Sequence, residues 1–436
     1  MEWWLAFIVI FGGLILIMFS GMPVAFSFML INLILGYILW GSAGLQQLIL
    51  SMFESVTIFI LLPVPLFILM GEVMFHSGLA VNLLETLDKW MGRLPGRLAV
   101  LAVAGGTLLA ALTGASMGSI AMLGSTLVPE MEKRGYKNPM TLGPIMGSGG
   151  LAVMIPPSSL AVILGSLGEI SIGKILIAII PAGLIMAALY AIYIIGRCWL
   201  QPSIAPSYDV VPTPLFEKII AFVHYVLPMG IVIFLVIGII FLGVATPTEA
   251  SATGTLGMFI LAAAYKRLTW EMVKKSIRAS FRITAMLFMI IATAAGFSQI
   301  LAYTGAGQGL IKFALSFSLP PLVINIFMQI VLIFLGMFMG QVPIMMITLP
   351  IFMPIVHALG FNPVWWAVVF LINMEVGLLS PPFGMSLFVM KSVAPPGTMM
   401  EEIIRSGMPF IYLDIIAMAL IIVFPILVLW PLTVML

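Results

Sequence analysis

Two short runs in this chain place backbone groups that need partners inside strongly apolar sequence: Met154-Ile155-Pro156-Pro157-Ser158 and Leu379-Ser380-Pro381-Pro382-Phe383. Proline lacks an amide hydrogen and clashes with the turn before it, so each Pro-Pro pair opens a helix and frees carbonyls and amides. Hydrocarbon cannot satisfy such groups; water, a coupling ion or polar substrate atoms can. Carbonyls at a half-helix C-terminus suit a hard cation such as sodium, and amides at an N-terminus suit a carboxylate. Two further interruptions, Thr113 to Gly118 and Met339-Gly340-Gln341-Val342-Pro343, supply facing groups. At the first, Gly114, Ala115, Ser116 and Ser119 would oppose Ser148, Gly149, Gly150, Ala152 and Pro156, with Ser158 and Ser159 opening the next helix. At the second, Gly340, Gln341 and Pro343 would oppose Glu375, Gly377, Ser380, Pro382 and Gly384. The plainer alternative is that these small residues only let helices pack closely.

Glu375 is the sharpest single residue. It lies about 17 Å inside a span that begins near Val364, at 1.5 Å per residue, with no Lys or Arg at a similar depth. Three roles are open to it: proton coupling, shaping of the second ion site, or a hydrogen-bonded group that stitches the loosened backbone at 377–381. Glu249, in Thr246-Pro247-Thr248-Glu249, reads as a helix cap. Glu54, Glu72, Glu169 and Asp414 are expected at the membrane interfaces, as are the three histidines.

The elements that hold these groups follow from composition. With 62% hydrophobic and 8% charged residues and a mean hydropathy of +1.25, the chain is an all-α polytopic membrane protein. Cys198 is the one cysteine, which excludes an internal disulfide, and no metal-ligand cluster, phosphate loop or nucleophile-base motif occurs, so the sequence predicts neither an enzyme nor a cofactor. The first apolar run lacks a basic leader and reads as a retained span.

Simple spans are expected near 3–20, 22–40, 51–75, 171–197, 217–244, 248–265, 280–302 and 406–435. The segments 97–131 and 319–358 break into halves of about 15 residues, roughly 22 Å of helix, too short for a core of about 30 Å. They read as re-entrant hairpins. The segments 140–168 and 364–391, which carry the Pro-Pro pairs, read as broken spans. Threaded this way, sixteen of the 18 lysines and arginines fall on one side, leaving Lys174 and Lys312 on the other. The positive-inside rule makes the first side cytoplasmic and puts both termini in the periplasm.

The halves match at a constant offset of 225: Gly71 with Gly296, Pro95 with Pro320, Pro129 with Pro354, Gly135 with Gly360, and Pro156-Pro157 with Pro381-Pro382. The expected organisation is a first repeat at 1–200, a linker at 201–217 and a second repeat at 218–436. Each repeat has three spans, a hairpin, a broken span and a closing span. Five crossings per repeat is odd, so the two repeats would be inverted, with the hairpin tips meeting near the midplane.

Taken together, Gly114-Ala115-Ser116, Pro129 through Gly135-Tyr136, Ile155-Pro156-Pro157-Ser158, Thr246 through Ala250 and Gly377 through Gly384 resemble the large membrane subunit of tripartite ATP-independent periplasmic (TRAP) transporters over essentially the whole chain. The resemblance implies an elevator-type carrier of the ion transporter superfamily, in a bacterial or archaeal inner membrane. It would be a sodium symporter importing organic acids such as C4-dicarboxylates. It also implies two partners, a small four-helix membrane subunit and a periplasmic substrate-binding protein, and no nucleic acid. On this resemblance sodium would be held by Gly114, Ser116, Ala152 and Pro156 and by Gly340, Gln341, Gly377 and Ser380, with substrate contacts at Ser119, Ser158, Pro343 and Gly384. The competing reading is a stand-alone dicarboxylate carrier or sodium/proton antiporter of the same architecture. A channel would need a continuous path, which hairpins closing the midplane from both sides oppose.

Overall fold

Proline and glycine set the ends of most helices in this chain. The structure, a computed structural model, describes residues 2–92, 94–113, 116–206, 214–317 and 319–435, without the side chains of 110–113. Up to residue 200 the helices are α1 (Trp3–Phe19), α2 (Val24–Val56), α3 (Pro63–Ser77), α4 (Leu79–Met91), α5 (Arg97–Thr113), α6 (Ser116–Lys133), α7 (Asn138–Met154), α8 (Ser159–Leu167) and α9 (Ile172–Leu200). After it come α10 (Leu215–Phe241, with two wider π turns), α11 (Pro247–Ala264), α12 (Trp270–Tyr303), α13 (Ala306–Ser316), α14 (Pro321–Gly336), α15 (Gln341–Ala358), α16 (Pro363–Leu379), α17 (Met385–Val393) and α18 (Met400–Val423). Among the described residues seven helical stretches, or eight counting the bent pair α7 and α8, are long and apolar enough to cross a membrane. This establishes a multi-pass membrane protein.

Several expected boundaries are corrected. The runs 22–40 and 51–75 are two stretches as expected, but their boundary moves: α2 continues to Val56 through a break at Gly41, whose φ of 64° suits a residue without a side chain, and the next stretch runs from Phe59 to Ser77, with α3 starting at Pro63. The span expected at 280–302 begins ten residues earlier, at Trp270, because Lys274, Lys275, Arg278 and Arg282 ride on an amphipathic first half. The last span ends at Val423, ahead of Phe424-Pro425. The amphipathic helices α4 and α13 were not among the expected elements at all, since a search for long apolar runs passes over helices with one polar face. In the segment 319–358, expected to be a re-entrant hairpin, α15 with 18 residues is long and apolar enough to cross, whereas α14 has 16.

Every residue from Met140 to Met154 on α7 and from Val364 to Leu379 on α16 is buried, so these helices form the centre of the molecule. Around them pack α5, α6, α9, α14, α17 and α18. A second group, α2, α3, α11 and α12, packs mainly on itself. Hydrogen bonds from Thr255 Oγ1 to the Leu66 carbonyl (2.9 Å) and from Ser276 Oγ to the Glu72 carbonyl (3.1 Å) tie α3 to α11 and α12, the polar glue of membrane packing. Glycines on α7 permit the closest approaches: a Cβ at Gly147 would lie 2.3 Å from the Phe410 ring of α18. The linker expected at 201–217 overlaps α10, which starts at Leu215.

Candidate functional site

Each Pro-Pro pair ends one central helix and precedes a short one. Both pairs contain a cis peptide bond, at Pro156-Pro157 and Pro381-Pro382. After the first, Ser158 accepts a hydrogen bond from the Ala161 amide (3.3 Å) and caps α8. After the second, Gly384 precedes α17 with no side-chain cap, and Gly340 precedes α15 likewise. The starts of these two helices adjoin, since a Cβ at Gly340 would stand 3.5 Å from Met385 Sδ. Two uncapped amide ends side by side make a place for negative charge.

Glu375, on α16, joins the separate parts. Its carboxylate is 1% exposed, and Oε1 accepts hydrogen bonds from Ser116 Oγ at 3.1 Å and Gln341 Nε2 at 3.0 Å. Ser116 is the first residue of α6, and Gln341 is the first residue of α15. Oε2 faces α7, where a Cβ at Gly150 would come within 2.6 Å of it, and it has no hydrogen-bond partner among the described residues. One carboxylate on α16 therefore meets the starts of α6 and α15 and the middle of α7.

The other expected site residues divide into groups. Ser119, Ala152, Pro156 and Pro343 are buried close by in sequence on α6, on α7 with its following break, and on α15. The Ser380 hydroxyl donates to the Val376 carbonyl at 2.6 Å, which leaves its lone pairs available. Gly377 meets α14 directly: a Cβ there would lie 2.8 Å from the Cα of Gly336, so close packing alone accounts for that glycine. Gly384 is equally confined, with a built Cβ 2.4 Å from the Leu378 carbonyl oxygen. Gly114 lies outside the described residues. The breaks differ in access. Residues 155–159 are all buried, whereas Pro382 and Phe383 are exposed.

Two polar groupings were missed by the sequence reading. Asp414, expected at an interface, is fully buried on α18, and Tyr190 of α9 donates its hydroxyl to Oδ1. Its place in the apolar part of α18, nine residues beyond Arg405, was the available signal. On α14 and α16, Asn373 Nδ2 donates to Gln329 Oε1 (2.9 Å), Gln329 Nε2 to Asn325 Oδ1 (3.2 Å), and Trp366 Nε1 to the same oxygen (3.1 Å). This amide ladder fastens α14 to α16. The spacing of Asn325 and Gln329, one helical turn apart in apolar sequence, could have revealed it.

The sequence profile described as "Tripartite ATP-independent periplasmic transporter, DctM component" matches residues 11–427. Among curated proteins, the C4-dicarboxylate TRAP transporter large permease protein DctM of Pseudomonas aeruginosa is 29% identical over 391 residues, covering 89% of this chain and 90% of that protein. The sialic acid TRAP transporter large permease protein SiaM of Vibrio cholerae is 28% identical, covering 95% and 96%. Among solved structures, the YdaH transporter of Alcanivorax borkumensis superposes with a TM-score of 0.61 at 14% identity, covering 96% of this chain and 99% of that one, which is a likeness of fold alone.

Proposed function

The chain belongs to the DctM-component family of tripartite ATP-independent periplasmic transporters, and from that premise we propose a sodium-coupled importer of small carboxylates, of which this protein is the large permease subunit. Proteins of this family are permease subunits, not enzymes. In the proposed assembly a periplasmic binding protein delivers the substrate and a small four-helix membrane subunit stands beside this one in the inner membrane, both termini being periplasmic. The two halves of the chain are inverted repeats. The group of helices centred on α7 and α16 travels as an elevator against the scaffold of α2, α3, α11 and α12.

The observation that supports this reading most strongly is the meeting of Ser116 and Gln341 on Glu375. Sodium is held at each tip by backbone carbonyls and serine oxygens, at Gly114, Ser116, Ala152 and Pro156 and at Gly340, Gln341, Gly377 and Ser380. The substrate carboxylate lies at the uncapped starts of α15 and α17, near Pro343 and Gly384, with Ser119 and Ser158 on the other side. Glu375 acts as the joint that holds the tips in register for both ions. The choice of substrate rests mainly with the binding protein, in keeping with the different substrates named for the similar permeases.

Uptake into proteoliposomes containing both membrane subunits tests this directly. Transport is expected to require sodium and the binding protein and to ignore ATP, and Ser116→Ala is expected to weaken the sodium response through loss of one ligating oxygen. Uptake that persists at full rate when potassium replaces sodium refutes the coupling. Uptake that proceeds without the binding protein favours a stand-alone carrier.

A further inference from the structure

Away from Glu375, the first half of α10, the end of α11 and the start of α4 line an open groove of about 550 Å3 whose polar lining is Asn82, His224, Tyr225, Tyr265, Lys266 and Arg267. We infer that this groove binds the phosphate headgroup of an anionic phospholipid. The inference rests on the chain's spanning a membrane but not on its transport chemistry.

The first support is charge. Acidic partners hold several basic residues elsewhere: Arg97 pairs with Asp88, Arg134 with Glu130, Lys275 with Glu271 and Arg405 with Glu401. Lys266 and Arg267 have no such partner among the described residues, and no carboxylate lines the groove. An ammonium beside a guanidinium, both exposed, matches the oxygens of a phosphodiester, which the guanidinium engages through two parallel N–H donors. Lys266 also takes the left-handed conformation, with φ of 55°, at the end of α11, where glycine is the usual residue.

Depth is the second. Trp90 of α4 packs on Phe222 of α10 with ring centroids 5.9 Å apart, and Trp270, three residues beyond Arg267, is 80% exposed. Tryptophans concentrate at the headgroup level of a bilayer, so the groove opens where phosphates lie. The walls complete the fit. Tyr225 and Tyr265 stack at 5.9 Å, and the Tyr265 hydroxyl is held by the His224 carbonyl. That leaves Tyr225 and Asn82 as neutral donors, while Leu261 and Pro228 offer an apolar side to the glycerol and acyl chains.

Native mass spectrometry of the full-length protein, with phosphatidylglycerol and phosphatidylethanolamine as probes, tests the inference without sodium, substrate or partner subunits, so its outcome is independent of the transport reading. Phosphatidylglycerol adducts are expected to exceed phosphatidylethanolamine adducts severalfold, and to fall roughly tenfold in Lys266→Gln/Arg267→Gln but not in Lys274→Gln/Arg278→Gln, which removes the same charge elsewhere. Should the first double variant fail to fold, Tyr225→Phe with Asn82→Leu removes two neutral donors, and a two- to threefold loss is expected. Equal adducts for the two lipids, or equal retention by both charge variants, overturns the assignment. So does displacement of the lipid by inorganic phosphate that itself stays bound, which would make free phosphate the ligand.

Discussion

Replacing Glu375 separates a joint made by hydrogen bonds from one that works through charge. Oε1 accepts from Ser116 and Gln341 at 3.1 and 3.0 Å, while Oε2 has no partner among the described residues. Glutamine keeps an acceptor oxygen of the same reach, so Glu375→Gln retains both bonds. Its amide nitrogen, with two N–H groups, takes the place of the unpartnered oxygen, at a cost of about 1 kcal/mol. Alanine removes both hydrogen bonds at about 1–1.5 kcal/mol each, about 2–3 kcal/mol in all, or roughly 30- to 150-fold in the equilibrium that brings α6 and α15 together on α16. The assay is a sodium titration of substrate uptake in proteoliposomes with both membrane subunits, after checking that each variant inserts and stays monodisperse. The expected half-saturating sodium rises less than about tenfold for Glu375→Gln and by one to two orders of magnitude for Glu375→Ala. If glutamine proves as damaging as alanine, or removes a pH dependence that the parent protein shows, the carboxylate works through its charge or its proton, and the hydrogen-bonded joint is refuted.

Two other substitutions probe the frame around the site. In Gly377→Ala the new methyl would lie 2.8 Å from the Gly336 Cα, a backbone atom that cannot turn aside, so overpacking is expected to lower stability by about 1–3 kcal/mol and to reduce the melting temperature in detergent. An unchanged melting temperature would show that α14 and α16 are free to separate. Tyr190→Phe strips buried Asp414 of its one hydroxyl donor among the described residues and is expected to destabilise by about 1.5–3 kcal/mol, with Asp414→Asn in the same background restoring part of the loss. A full-strength single variant would mean that the pair contributes nothing to stability.

Local rules made much of this protein legible before any coordinates. Sixty-two per cent hydrophobic residues dictate a membrane as solvent, and in that solvent backbone groups must find partners within their own helix. A Pro-Pro pair in such a helix therefore marks a break wherever it stands, and both pairs do fall between helices, after Met154 and after Leu379. The interruption near Gly340 and the buried Glu375 were readable for the same reason, since each departs from the apolar sequence around it.

What tertiary structure decided is partnership, which depends on residues remote in the chain. Nothing in the sequence around Ser116 says that its hydroxyl meets a carboxylate 259 positions later, or that Gln341 shares that oxygen. Hydropathy also cannot tell lipid from protein as the apolar surroundings of a helix, so Asp414 looked interfacial until packing placed α9 and α18 around it. The same blindness hid α4 and α13, whose apolar faces are long enough to lie on a membrane core but too interrupted to register as spans. Solvent chemistry acts on each residue alone and is written in the sequence; hydrogen-bond geometry acts on pairs and exists only once the helices have packed.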